Sequence, residues 1–193
     1  MRQKSGKKQE TRQRILEAAG RSFRRRGFDG AGVDGLAKEA GVTSGAFYVH
    51  FDSKAAAFRE SIVSGLEELK VGVENYQKQH GALWLDEFAR FYLSEKRTCD
   101  PAESCAMQSL APEAGRSDTL SRAAFQAELL KVAQTVASGL PHAGSKPDIA
   151  SAWVFLAMLV GGVTLARAVK DEELAEGIAD AVCNAATLNS GIE

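Results

Sequence analysis

Cysteine and histidine are scarce in this chain of 193 residues, with three of each. Cys99, Cys105 and Cys183 are an odd number with no metal-ligand spacing, and His50, His80 and His142 all lie apart from them. That excludes a disulfide framework and a structural metal, and it predicts a protein of the reducing cytoplasm. A long hydrophobic run is also missing. The longest, Ala152 to Val163, falls short of the roughly 20 apolar residues that cross a membrane, so it reads as a buried helix. Met1 to Glu10 is basic and polar, unlike a signal peptide. No period-two alternation suggests a strand, and no segment repeats. No Ser-His-Asp or Cys-His set and no glycine-rich phosphate loop is present, so neither an enzyme nor a bound cofactor is expected.

What is there is helical. With 45% hydrophobic and 25% charged residues, the composition is that of an ordinary globular protein. The net charge of −1 conceals an asymmetry. Residues 1–59 hold 13 basic and 6 acidic side chains, the remainder 11 and 19. A basic end on an acidic body suits a polyanion, although a solvated basic helix face would give the same count.

Periodicity and end signals predict helices over about 10–26, 33–40, 43–51, 54–79, 82–96, 118–138, 148–169 and 171–188. Residues 1–9, with Arg2, Lys4, Lys7 and Lys8, read as a disordered basic arm. Residues 99–117, which contain Pro101 and Pro112, read as irregular with one short helix. The expected fold class is all-α, with one helical domain over 1–52 and a second over 53–193.

Leu36-Ala37-Lys38-Glu39-Ala40-Gly41-Val42 carries the helix-turn-helix signal. Ala37 is small where a second helix crosses. Gly41 makes the turn, where a left-handed backbone costs glycine little. Val42, Phe47 and Phe51 pin the short helix that follows to the first two.

The fit extends beyond this motif. Thr11 to Ala19, Phe23, Gly27-Phe28, Val33-Asp34, Gly41-Val42-Thr43, Gly45 to Phe51 and Ser53-Lys54 together resemble the TetR (tetracycline-repressor-like) family. Leu159 to Gly162 and Leu165 to Val169 look like the eighth helix of some members. The resemblance implies that Thr43 caps the recognition helix and touches phosphate. Ser44, Gly45 and Ala46 face base edges, while Tyr48, His50 and Lys54 hold phosphates. Gly32 stands where many members have Thr or Ser, and the recognition helix has no Lys or Arg. Base reading then falls to Ser44, the Ala46 methyl and close approach at Gly45, with the basic arm adding contacts.

The helix from about 148 is apolar all round and must be covered. Ala157, Gly161, Thr164 and Ala168 share one face at small-residue spacing, and Ile178, Ala179, Val182 and Ala186 form a stripe on the last helix. These are the expected homodimer interface. Phe88, Phe91, Tyr92, Met107, Leu110, Phe125, Leu129 and Trp153 are the expected lining of a pocket for a small apolar effector. Cys105 has two readings, a thiol sensor at a helix start with Cys99 as resolving partner, or a small buried hydrophobe.

The expected function is a ligand-responsive regulator, a repressor that binds palindromic double-stranded operator DNA as a homodimer and is released by the effector. A nucleoid-associated or division factor of the same fold, without small-molecule induction, is the alternative.

Overall fold

A computed structural model of the chain describes residues 2–140 and 148–188. Nine α-helices and no strand occur among the described residues: α1 (Arg2–Gly30), α2 (Val33–Glu39), α3 (Ser44–His50), α4 (Lys54–His80), α5 (Trp84–Thr98), α6 (Ala106–Arg116), α7 (Thr119–Gly139), α8 (Ile149–Ala168) and α9 (Glu172–Leu188). The expected loop over 139–147 lies, beyond Leu140, outside the described residues, as does His142.

Most helix ends follow local chemistry. Gly27 interrupts α1 with φ 71° and ψ 176°, a backbone that only glycine adopts without strain. Ser53 caps α4, its Oγ accepting the Ala56 N–H at 3.0 Å. Asp118 accepts the Ser121 N–H at 2.9 Å ahead of α7, and Asp148 accepts the Ala150 N–H at 3.0 Å at the start of α8.

One expectation fails and another holds only in part. The basic arm is helical: the backbone is α1 from Arg2 onward. Once residues 10–26 form a helix, adding further turns needs no new nucleus, and Gln3, Lys4, Lys7, Lys8 and Gln9 all favour helix. Residues 106–116 form a full helix through Pro112. Met107, Leu110 and Ala114 are buried on one side of α6, and that packing outweighs the one backbone hydrogen bond that proline forfeits.

The chain forms two compact units. One comprises residues up to 65 together with 101–126; the other comprises 66–100 and the chain from 127 onward. Compactness therefore does not follow the expected division after residue 52, because α6 and the first half of α4 pack with the N-terminal helices. In the first unit Ile15, Phe23, Leu36, Phe47, Phe58 and Ile62 are wholly buried. Phe23, Phe28 and Phe58 pack ring on ring at 5.1–6.0 Å between centroids. Gly65 lets α6 approach, since a Cβ there would lie 2.4 Å from Cβ of Ala106.

In the second unit α5, α8 and α9 pack mutually. Phe88, Tyr92, Leu159 and Val163 are buried, and the rings of Trp84 and Phe88 pack against Phe155 at 6.0 and 6.4 Å between centroids. Ile149–Ala168 is long and apolar enough to cross a membrane, with a mean hydropathy of 2.1. Its Phe155, Leu156, Leu159 and Val163 are nevertheless covered by protein.

Candidate nucleic-acid interface

The turn between α2 and α3 is built from the backbone. Gly41, at φ 67°, donates to the Lys38 carbonyl at 3.1 Å, and the Val42 N–H donates to Ala37 at 2.9 Å. Thr43 then caps α3, its Oγ1 accepting the Ala46 N–H at 3.1 Å. Phe47 and Phe51 anchor α3 in the core, with ring centroids 5.6 Å apart. Rotation by a helical step puts the other side chains outside. Tyr48 is 55% exposed and Val49 67%, Gly45 is exposed, and Ser44 and Ala46 are half-exposed. The Tyr48 ring rests edge-on against Phe47 at 5.5 Å, which steadies an otherwise exposed aromatic.

His50 ends α3, half-buried. Desolvation holds its imidazole below the usual pKa, and the nearby cations Lys8 and Arg12 depress it further. The helical arm therefore contributes positive charge beside the end of α3. Lys54 is turned inward: its Nζ donates to the Phe28 carbonyl at 2.9 Å and lies 4.1 Å from the centre of the Phe28 ring. Glu113 of α6 holds the preceding peptide group, its Oε2 accepting the Phe28 N–H at 2.9 Å.

Much of the N-terminal basic excess is spent internally. Arg12 pairs with Glu60 and lies 4.8 Å over Phe51, and Arg26 pairs with Glu39 at 3.0 Å. Arg24 Nε donates to the Ala102 carbonyl at 2.8 Å, and Arg59 pairs with Asp118 at 3.6 Å. Lys7, Lys8, Arg14 and Lys38 stay exposed.

Comparison with known proteins agrees with this geometry. The sequence profile described as "Bacterial regulatory proteins, tetR family" matches residues 15–60. Over residues 15–60 the chain is similar to the N-terminal segment of TetR-family regulators.

Among curated relatives, the HTH-type transcriptional regulator AcrR of Shigella flexneri is 44% identical over 64 residues, 33% of this chain and 29% of that protein. The uncharacterized HTH-type transcriptional regulator YdgC of Bacillus subtilis is 38% identical over 72 residues, 37% of each chain. The chain thus spans about a third of the length of the curated relatives that it matches. Solved structures match further. Escherichia coli NemR in its reduced form has a TM-score of 0.76 at 19% identity, covering 91% of this chain and 96% of that one. A TetR-family transcriptional regulator from Cytophaga hutchinsonii has a TM-score of 0.77 at 17% identity, covering 97% and 98%. At these identities the likeness is one of fold.

Beyond the TetR-type domain, the expected site residues are dispersed. Cys105, Met107 and Leu110 are buried in the first unit, and Phe125 is half-buried there. Phe88 and Tyr92 are core of the second unit, where Phe91 and Leu129 are half-buried and Trp153 is 37% exposed. The second unit has a cavity of about 210 Å³, lined chiefly by Leu85, Leu140, Val154, Phe155 and Met158, with Ser151 as its polar member. None of the eight expected lining residues, nor Cys105, lines it. Sequence reasoning missed it because aliphatic residues lining a gap and those filling a core look alike along the chain.

The expected dimer stripe divides as well. Ala157, Thr164 and Ala168 are exposed, Gly161 has open space where a Cβ would go, and Ile178 is half-buried. Ala179 and Ala186 are buried within the chain, and Val182 meets Gly162. These three belong to the packing of α9 inside its own unit. Val154 and Leu165 of α8 and Leu174 of α9 are more than half exposed and extend the apolar surface.

Proposed function

We propose that this protein is a ligand-responsive transcriptional regulator, a repressor that binds palindromic operator DNA as a homodimer. The observation that carries the reading is the presentation of α3. Phe47 and Phe51 fix one side of it in the core, Thr43 caps it, and Gly45, Tyr48 and Val49 stand in solvent on the side a major groove would meet. Lys7, Lys8 and Arg14 supply the charge for phosphates. Regulation of transcription is also what the names of its partial relatives state.

A helix-turn-helix of this size reads a half-site, so a palindrome needs two copies. The exposed apolar stripe Val154, Ala157, Gly161, Thr164, Leu165 and Ala168 suits a second copy of α8, since small residues let helices approach. The effector we assign to the cavity beside Phe155 and Met158 is small and apolar. At about 210 Å³ the cavity is below the roughly 300–1,000 Å³ of drug-sized sites.

Binding of the full chain to a random-sequence 30-base-pair duplex across a salt series tests the core of this reading. The expected result is an affinity that falls steeply and linearly on a log–log plot of salt. A chain that binds no duplex at low salt is not a DNA-binding regulator.

A further inference from the structure

The hydroxyl of Ser44, the first residue of α3, donates to the carboxylate Oδ1 of Asp34 in the first turn of α2. Direction matters here. A serine hydroxyl has one proton and two lone pairs, and a carboxylate accepts but has nothing to donate. The only proton of Ser44 is therefore committed to Asp34, and lone pairs alone remain for any outside partner. Ser44 is half-exposed and Asp34 exposed, so this pair is open to solvent, as is the neighbouring Gly45. Gly45 and Ala46 next to it are not hydrogen-bonding side chains, and α3 holds no Lys or Arg that could grip a guanine.

We propose that Asp34 sets the base preference of this domain by making Ser44 an obligate acceptor. The step that Ser44 meets in the major groove then carries an exocyclic amine on the contacted strand, adenine N6 or cytosine N4. Guanine and thymine present acceptors at the corresponding edge, O6 and N7 or O4, and would face lone pair against lone pair. The inference rests on the DNA-binding reading above and adds the chemical class of base that is read. Asp34 acts through Ser44 and is a positioning residue.

The test is selection of bound duplexes from a randomised 30-base-pair library, followed by sequencing. It uses the full chain as wild type, Ser44→Ala, Asp34→Ala, Asp34→Asn and the Ser44→Ala/Asp34→Ala pair, each checked for an unchanged melting curve. The Ser44 step is the one whose preference changes in Ser44→Ala. At that step the wild type is expected to favour A or C over G or T by about two- to tenfold, the scale of one neutral hydrogen bond. Enrichment of A alone, of C alone or of both fits the proposal and identifies which amine is met. Asp34→Ala frees the hydroxyl to rotate, and the ratio should fall towards one. Asp34→Asn is sharper, because its amide can donate to Ser44 and leave the hydroxyl proton pointing outward, which moves the preference towards G or T.

A wild-type preference for G or T at that step overturns the proposal. So does the lack of any step that responds to Ser44→Ala. If Asp34→Ala shifts the preference equally when Ser44 is already Ala, Asp34 reads the base itself and the proposal is again wrong. A wild type that binds no duplex rejects the DNA-binding reading and this inference with it, whereas binding with an unresponsive Ser44 step rejects the inference alone.

Discussion

Lys54 and Phe28 are joined twice: the ammonium donates to the Phe28 carbonyl at 2.9 Å and sits 4.1 Å over the Phe28 ring. The family resemblance assigns Lys54 to a phosphate, yet here its charge closes the end of α1 against the start of α4. Two of its three protons remain for another acceptor, so both roles fit one side chain. Lys54→Met keeps the stem and removes the charge. We expect a loss of about 1–2 kcal/mol in urea unfolding, from one hydrogen bond and one cation–π contact. If Lys54 also holds a phosphate, the salt slope of duplex binding falls by about 1. An unchanged slope with reduced stability would assign Lys54 to the fold alone.

Two adjacent glycines separate fold from assembly. A Cβ on Gly162 would meet Leu93 Cδ2 and Val182 Cγ1 at 2.9 Å, whereas nothing lies within 4 Å of one on Gly161. Gly162→Ala should therefore destabilise the unit, by about 1–3 kcal/mol as overpacking does. Gly161→Leu should leave the monomer's packing intact and disturb only a partner helix. Sedimentation at micromolar concentration is expected to show a dimer for the wild type and a monomer for Gly161→Leu. A wild type that sediments as a monomer rejects the α8 interface.

The imidazole of His50 is held below its usual pKa of 6.5 by desolvation, then by Lys8 and Arg12. Folding favours its neutral form, so its contribution to stability is present above pH 6.5 and is lost as pH falls through the lower folded value. A phosphate placed beside these cations acts oppositely and raises the pKa, so DNA binding takes up a proton. Duplex affinity should strengthen as pH drops from 7.5 to 6, and His50→Gln should flatten that dependence. An identical pH profile in the variant would place His50 outside the interface.

The cavity beside Phe155 is apolar and larger than the roughly 150 Å³ that is known to admit benzene. Benzene should raise the melting temperature of the wild type by mass action, and Met158→Trp, which fills the space, should abolish that rise. Equal shifts in both proteins would mean that benzene binds elsewhere.

Legibility followed the range of the forces involved. Gly27, Gly41, Thr43 and Asp118 mark helix breaks or ends by interactions within a few residues, so they could be read directly along the chain. The helix-turn-helix was equally legible because its spacing is local. The helical state of residues 2–9 and of Pro112 was not, because propagation from a neighbouring helix and packing of Met107, Leu110 and Ala114 overrode the local signals.

By itself the sequence determined the all-helical class, the DNA-binding motif and the anchor residues Phe47 and Phe51, all of which are set by periodicity and turn chemistry. Only the tertiary structure decided that Ala179 and Ala186 face inward, that a cavity opens beside Phe155 and that the Ser44 proton belongs to Asp34. Each of these depends on which helix lies against which. A helical pattern tells which residues share a face, but what that face meets is settled by packing between segments far apart in the chain.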